Sequence, residues 1–381
     1  MEDLTSARAR IDSIDDDIRS LFCERMDVTN DIADYKRAHD LPVLDRTRER
    51  QHLSDICDKV PEDLQTYAGL VFGLLTEVSK ANQSARLGAT SELAGQIGSA
   101  VRTTPELFPQ RAYVACQGVE GAYSQIAADR LFKHPTITYL STFEGVFRAV
   151  DEGLASYGVL PVENSTAGTV NQVYDLMMEH DFHIARTVRL KVDHNLLAKH
   201  GTTLEDVHDI YSHQQAIEQC SGFLDALEGV RVHVCENTAE AAKMVAASER
   251  ADVAALASRS CADLYDLDTL ARSVQDEGNN FTRFACITKD LQIFPGADRT
   301  SLMMVTANEP GSLYKVLARF YSLDINLVKL ESRPIPERDF EFMFYFDLAC
   351  PVAAPEFATL MASLDDVCEE FRYLGSYTEQ V

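Results

Sequence analysis

The sequence predicts a multidomain chain of three fold types in series: an all-α unit, an α/β domain, and an α+β module of ferredoxin-like βαββαβ order. Three observations carry this. A stretch free of Gly and Pro, with heptad-like apolar spacing, opens the chain. Short apolar runs alternate with helical stretches through its middle. From about residue 299 the order reads strand, helix, strand, strand, helix, strand. The 381 residues suffice for two or three domains, and 46% hydrophobic with 25% charged content fits a globular protein.

The first element spans residues 4 to about 38. Ile11, Ile14, Ile18, Leu21, Val28 and Ile32 fall on steps of three and four, with one position skipped, which predicts a long helix with an apolar seam. Pro42 ends or interrupts it. Further helices are expected from about Thr47 to Lys59 and from beyond Pro61 to about Arg86, so residues 1–87 form one helical unit. The first helix is too long to bury its seam within so small a unit, and a dimer solves that problem. Residues 88–110, rich in Gly, Ser, Thr and Pro, are expected to be a linker. Between 111 and 290 the runs RAYVACQG, TITYL, YGVLPVE, VHDIYSH, RVHVC, DVAALAS and FACIT alternate with helical stretches, which predicts α/β structure with a largely parallel sheet. Residues 299–381 supply the βαββαβ module.

Charge and composition exclude several function classes. A formal net charge of −25 argues against nucleic acid as the main partner and against an anionic membrane surface. No apolar run is long enough to span a bilayer, and the charged, periodic N-terminus does not read as a signal peptide. The nine cysteines (23, 57, 116, 220, 235, 261, 286, 350 and 368) include no C-x-x-C pair. They read as small apolar residues in a reducing, cytoplasmic compartment rather than a disulfide framework or zinc site.

Against that acidic background, YKRAHDLPVLDRTRER (35–50) is basic. Arg25 sits at a seam position that calls for an apolar residue, and a buried guanidinium needs an anionic partner. Lys36 follows eleven residues later, about three turns and roughly 16 Å along the axis, so both side chains can converge on one small anion. Arg8 lies roughly 25 Å from Arg25 on the same helix and can join them only from an antiparallel partner helix. Asp45, Arg48 and Glu49 share a face, as do Ser79 and Gln83. On spacing alone, solvated faces laced with salt bridges are the better reading for Arg46, Arg48 and Arg50, while for Arg25 both readings stand.

The set Arg8-x-x-Ile-x-x-Ile-Asp, Glu24-Arg25, Lys36, Pro42-Val-x-Asp-x-x-Arg-Glu49 and Ser79-x-x-x-Gln83 resembles the all-helical chorismate mutase family. The resemblance implies that Arg25 and a partner subunit's Arg8 grip the carboxylates of chorismate. Lys36 and Gln83 then meet the ether oxygen whose bond breaks, and Glu49 takes the ring hydroxyl. Ser79 and Arg48 assist a carboxylate, while Asp45 orients the site. A Claisen rearrangement needs no nucleophile or proton transfer, only a compact conformer and stabilised charge on the ether oxygen.

In the middle of the chain, GVEGAYS (118–124), LPVENSTAGTV (160–170), YSHQQAIEQC (211–220) and NNFTRFACI (279–287) each read singly as caps and turns. Together they resemble prephenate dehydratase, a two-lobed α/β fold. Val119 and Gln214 stand where many relatives have Pro. The resemblance nominates Thr282 for the departing hydroxyl. Asn164, Ser165, Ser212 and Gln219 are implied as substrate binders, with Glu163 and Arg283 supporting. His213 is a candidate general acid or a structural residue at a helix start.

EPGSLYKVL (309–317) and LESRP (330–334) resemble the ACT domain of phenylalanine-regulated dehydratases, which nominates Gly311, Leu313, Glu331, Ser332 and Arg333 for effector binding. The expected protein is therefore a homodimeric or larger bifunctional enzyme making prephenate and then phenylpyruvate, inhibited by phenylalanine, with no metal or organic cofactor. The alternatives are a dehydratase with a dimerising helical arm and a non-catalytic amino-acid sensor.

Overall fold

The computed structural model describes residues 3–39, 41, 46–87, 92–336, 338, 341–364 and 367–381. The chain opens with α1 (Leu4–Ala38), α2 (Arg46–Cys57) and α3 (Gln65–Leu87). α3 packs against both others, but α1 meets it only through a short stretch around Arg25, Thr29, Asn30 and Ala33. The rest of the α1 seam has nothing to bury against in one chain: Ile11, Ile14, Ile18 and Leu21 are each at least 50% exposed. Where composition predicted a linker, α4 (Glu92–Thr103) forms instead. Leu93, Ile97 and Ala100 recur at helical spacing there, and Ile97 and Ala100 are buried.

Strands and helices then alternate: β1 (Arg111–Gln117), α5 (Tyr123–Leu131), β2 (His134–Leu140), α6 (Phe143–Asp151), β3 (Tyr157–Asn164), β4 (Gly168–Thr169), α7 (Asn171–Glu179) and β5 (His183–Lys191). Three residues later the chain enters a second sheet. That sheet is built from β6 (Asn195–Ala198), β7 (Asp209–His213), α8 (Gln214–Gln219), α9 (Ser221–Asp225), β8 (Arg231–Cys235), α10 (Thr238–Ala247), β9 (Val253–Ala257), α11 (Arg259–Tyr265) and β10 (Asp268–Ala271). It returns to the first sheet through β11 (Phe281–Thr288). The α+β portion follows as β12 (Arg299–Val305), α12 (Ser312–Ser322), β13 (Asn326–Pro334), β14 (Phe342–Ala349), α13 (Pro355–Leu364), β15 (Glu370–Tyr377) and β16 (Glu379–Gln380).

The first sheet has the order β16-β5-β11-β3-β1-β2 with β4 on β3, and the second β10-β6-β9-β7-β8. Both are mixed, which corrects the expectation of a largely parallel sheet. β1, β2 and β3 are parallel neighbours, as are β7, β8 and β9, because helices return the chain between them. β11 runs antiparallel to β3 and β5, and β6 antiparallel to β9 and β10. These antiparallel pairings fall at the strands that carry the chain out of one sheet and back from the other. Each sheet has its own apolar core, one around Val114, Phe132, Val159 and Phe284, the other around Leu197, Ala239, Ala255 and Cys261. Cys116, Cys220, Cys261, Cys286 and Cys350 are buried, and all nine cysteines are free.

The third sheet has the order β13-β14-β12-β15. By contact density the chain forms two compact units, Met1–Ser99 with Leu302–Arg372, and Ala100–Ser301 with Tyr373–Val381. In the first, α3 packs against α12 and α13 as well as α1 and α2. In the second, β16 adds a parallel edge strand to β5, so the last residues join the first sheet. Among the described residues, no helix is long and apolar enough to cross a membrane, and no cluster of three or more His, Cys, Asp or Glu residues is arranged to hold a metal ion.

Candidate active sites

In the helical region the spacing argument brings Arg25, Ser79 and Gln83 together. Arg25 Nη1 donates to the Leu75 carbonyl at 3.1 Å and to Ser79 Oγ. Partial burial pulls the Arg25 guanidinium below its ordinary pKa. One turn on, Gln83 is buried and its Oε1 has no hydrogen-bond partner among the described residues. A buried polar atom left unpaired calls for a polar ligand. Lys36 is half-buried near the end of α1, whereas Arg8 and Arg48 are exposed. Asp45 lies outside the described residues.

Glu49 on α2 is ion-paired to Lys80 Nζ at 2.8 Å, and Lys80 reaches Glu77 at 2.7 Å. Glu77 in turn meets Arg319 Nη2 of α12 at 2.9 Å. Lys80, Glu77 and Arg319 are buried, and sequence reasoning missed all three. A signal for two of them existed: Glu77 and Lys80 are ionic residues three apart that follow the apolar run LVFGLL on α3, and buried ions need partners.

The second candidate site is a cleft of about 370 Å³ between the two mixed sheets. Strand alternation decides what faces it. Thr282 stands opposite Asn164 across the β11–β3 ladder, and both line the cleft. Their neighbours Arg283 and Glu163 are also opposite one another but are not among the lining residues; they pair at 2.9 Å, and Arg283 Nε meets Glu379 at 2.6 Å. Gln219 and His213 line the cleft from the second sheet's side. Ser212 is fully buried and donates to the Leu256 carbonyl at 2.8 Å. Ser165 donates to the Asn279 carbonyl and accepts from the Phe281 amide, so it ties a loop to β11.

Asn164 belongs to a closed ring of polar side chains. Gln219 Nε2 donates to Thr166 Oγ1 at 3.0 Å, and Thr166 Oγ1 donates to Asn164 Oδ1 at 2.7 Å. Asn164 Nδ2 donates to Asn280 Oδ1 at 2.8 Å, and Asn280 Nδ2 donates back to Gln219 Oε1 at 2.7 Å. The Asn164 amide orientation is set by the backbone: Oδ1 also accepts from the Thr166 and Ala167 N–H groups. Nδ2 must therefore face Thr282 Oγ1, to which it donates at 2.9 Å. That leaves the Thr282 proton with no acceptor among the described residues.

His194 Nε2 donates to Gln219 Oε1 at 3.0 Å, and burial lowers the pKa of His194. His213 is also lowered by burial, and its Nδ1 caps α8 by accepting from the Gln215 N–H. His194, Asn280 and Thr166 lie outside the residues nominated from the sequence. The N-termini of α5 and α10 open onto the same cleft through Tyr123, Ser124, Asn237 and Thr238. Gly121, at φ 89°, makes the turn before α5, where an added Cβ would lie 3.0 Å from Cys261 Sγ. No Lys or Arg is among the residues lining the cleft.

In the α+β portion, Gly311 caps α12 in the left-handed conformation (φ 86°), with Leu313 half-buried in the first turn. On β13, an edge strand of its sheet, Glu331 and Arg333 are half-buried on one face and Ser332 is exposed on the other.

Comparison with known proteins follows this division. Residues 7–84 match the family model for chorismate mutase type II, and residues 114–292 match that for prephenate dehydratase. The bifunctional chorismate mutase/prephenate dehydratase of Aquifex aeolicus is 33% identical over 99% of this chain and 98% of its own. Arogenate dehydratase/prephenate dehydratase 2 of Arabidopsis thaliana is 38% identical over 70% of this chain and 73% of its own. The solved prephenate dehydratase of Arthrobacter aurescens, in complex with L-Phe, aligns with a TM-score of 0.63 at 25% identity over 70% of this chain and 90% of that one.

Proposed function

The chain belongs to the bifunctional chorismate mutase/prephenate dehydratase family, and from that premise we propose how its residues divide the two reactions. It is an enzyme of phenylalanine biosynthesis that carries both activities, converting chorismate to prephenate and prephenate to phenylpyruvate.

For the rearrangement, Arg25 and Ser79 hold a carboxylate of chorismate. Lys36 and Gln83 donate to the ether oxygen as its bond to carbon breaks and negative charge gathers there. Gln83 turned about its last torsion presents its NH₂ to that oxygen, which meets the buried amide's need for a partner. Glu49 takes the ring hydroxyl, with Arg48 and Asp45 completing the site. Arg8 enters from a second copy. The exposed seam of Ile11, Ile14, Ile18 and Leu21 supports a dimer built on antiparallel α1 helices.

For the dehydration, the observation that carries the reading is the Asn164-to-Thr282 hydrogen bond. Because Thr282 Oγ1 already accepts, its own O–H is free to donate to the departing hydroxyl. The electron pair of the breaking C–CO₂ bond enters the ring as the C–O bond breaks, and hydroxide leaves against the Thr282 donor. Gln219 fixes the ring of amides that aims Asn164. The α5 and α10 N-termini supply N–H groups to the remaining carboxylate. Ser165, Ser212, Glu163 and Arg283 hold the loops and strands that shape the cleft.

The α+β portion is read as an ACT-type module. Gly311 and Leu313 at the start of α12, with Glu331, Ser332 and Arg333 on β13, take phenylalanine as a feedback effector. The L-Phe bound by the Arthrobacter protein supports this. A cytoplasmic location fits the free cysteines. Purified protein given chorismate should release phenylpyruvate, with added phenylalanine slowing it. Prephenate as the final product would remove the dehydratase assignment, and an unaltered rate at saturating phenylalanine would remove the effector site.

A further inference from the structure

The ionic chain Glu49–Lys80–Glu77–Arg319 joins a residue of the rearrangement site to the interior of α12. Its charges alternate in sign and each link is 2.9 Å or shorter. Arg319 is 1% exposed, and Glu77 and Lys80 are below 10%. Breaking one link of a buried ionic chain leaves an uncompensated charge in the interior, so each ion depends on its partners. Lys80 is divided between two carboxylates, so the position of its ammonium depends on how well Glu77 is satisfied from its other side, by Arg319.

We propose that Arg319 is a positioning residue for chorismate rearrangement: by neutralising Glu77 it leaves Lys80 free to hold the Glu49 carboxylate where the substrate's ring hydroxyl meets it. This rests on the reading of Glu49 given above. Without the guanidinium, Glu77 becomes a buried carboxylate with Lys80 as its remaining ionic partner among the described residues, draws the ammonium toward itself, and releases Glu49. The geometry on either side agrees. A cavity of about 160 Å³ beside the chain is lined by Glu49, Arg50 and Lys80 from the helical bundle, by Glu309 before α12, and by Ser312 and Lys315 in its first turn. Arg319 lies two turns beyond Gly311 on the same helix, so whatever moves the start of α12 also moves the anchor of Glu49.

The test uses the full chain with Glu49→Gln, Arg319→Met, Arg319→Lys and the paired Glu77→Gln/Arg319→Met, each assayed with chorismate and with prephenate. Arg319→Met is expected to lower kcat for chorismate by about ten- to a hundredfold, the scale of a misplaced catalytic group, with a smaller change in KM. Prephenate turnover should stay at the wild-type rate, which shows that the chain is folded. Arg319→Lys should recover most of the loss. The paired variant removes the competing carboxylate together with its partner, so it should recover most of the chorismate kcat, because nothing then draws Lys80 from Glu49. A purely structural role predicts instead that Arg319→Met, assayed well below its melting temperature, keeps the wild-type chorismate kcat and changes only the melting temperature. Wild-type chorismate kcat in Arg319→Met, or a pair no more active than Arg319→Met, with Glu49→Gln impaired, would overturn the inference and leave the site reading intact. Wild-type kcat in Glu49→Gln would remove the site reading, and the inference with it.

Discussion

The two sites of this chain handle substrates of similar charge with opposite chemistry. Chorismate and prephenate are both dicarboxylates, yet on the proposed reading the helical site presents Arg25 and Lys36 backed by a buried ionic chain, while the dehydratase cleft is lined by amides, hydroxyls, the imidazoles of His194 and His213 and the Glu236 side chain, with no Lys or Arg. The reactions account for the difference. In the rearrangement both carboxylates persist, so cations that grip them hold a compact conformer at no loss to the transition state. In the dehydration one carboxylate must surrender its charge to the ring as CO₂ departs. A cation paired to it would stabilise the ground state more than the transition state and slow the step. Donors belong instead at the leaving hydroxyl, the role proposed for Thr282.

That contrast can be broken at either end, and the largest effect is expected at Thr282. Thr282→Ala should lower prephenate turnover by about 10²- to 10⁴-fold, the range for a positioned donor to a leaving group, with chorismate turnover unchanged. Lys36→Ala should lower chorismate turnover by about 10²- to 10³-fold, the loss seen when one donor to a developing oxyanion is removed, with prephenate turnover unchanged. Steady-state assays with each substrate separately check both.

Part of the helical candidate site was legible from periodicity: helical spacing placed Ser79 with Gln83 on one face of α3, and Ser79 meets Arg25. The dehydratase residues came from the family resemblance, which named Thr282, Asn164 and Gln219, all of which line the cleft, but could not sort their neighbours. Pro161-to-Ser165 and Thr282-to-Phe284 are contiguous strings, and a strand sends alternate residues to opposite faces, so Glu163 and Arg283 pair away from the cleft lining. His194 was missed because only a long-range contact to Gln219 brings it to the cleft, and Asn280, though inside the NNFTRFACI stretch, gains its place from its bonds to Asn164 and Gln219. Arg319 was beyond reach for the same reason: its partner Glu77 is 242 residues away. The strand directions were misread because local patterns do not show where a chain leaves one sheet and returns to it.

Smaller effects sharpen the comparison. Asn164→Asp keeps the acceptor for the Thr166 and Ala167 amides but loses the donors to Thr282 and to Asn280. The lost bond to Thr282 should reduce prephenate turnover by about ten- to a hundredfold, and the lost bond to Asn280 should lower the melting temperature as well. The smallest effect concerns pH. Burial holds His194 and His213 below the ordinary imidazole pKa. The unfolded chain takes up protons near pH 6.5 while the folded cleft still excludes them, so stability is full above about pH 6.5 and is lost as pH falls through the lowered folded values. His194→Gln should flatten that acid limb in denaturant-melting curves, whereas an unchanged limb would assign the effect elsewhere.

On the proposed reading a cationic site and a cleft without Lys or Arg work independently on one chain. A chorismate time course tests this, with products identified for Lys36→Ala and Thr282→Ala side by side and prephenate supplied to each in parallel. Thr282→Ala is expected to accumulate prephenate at the wild-type rate, and Lys36→Ala to leave chorismate largely intact yet convert added prephenate normally. Phenylpyruvate from chorismate at the wild-type rate in either variant would contradict it.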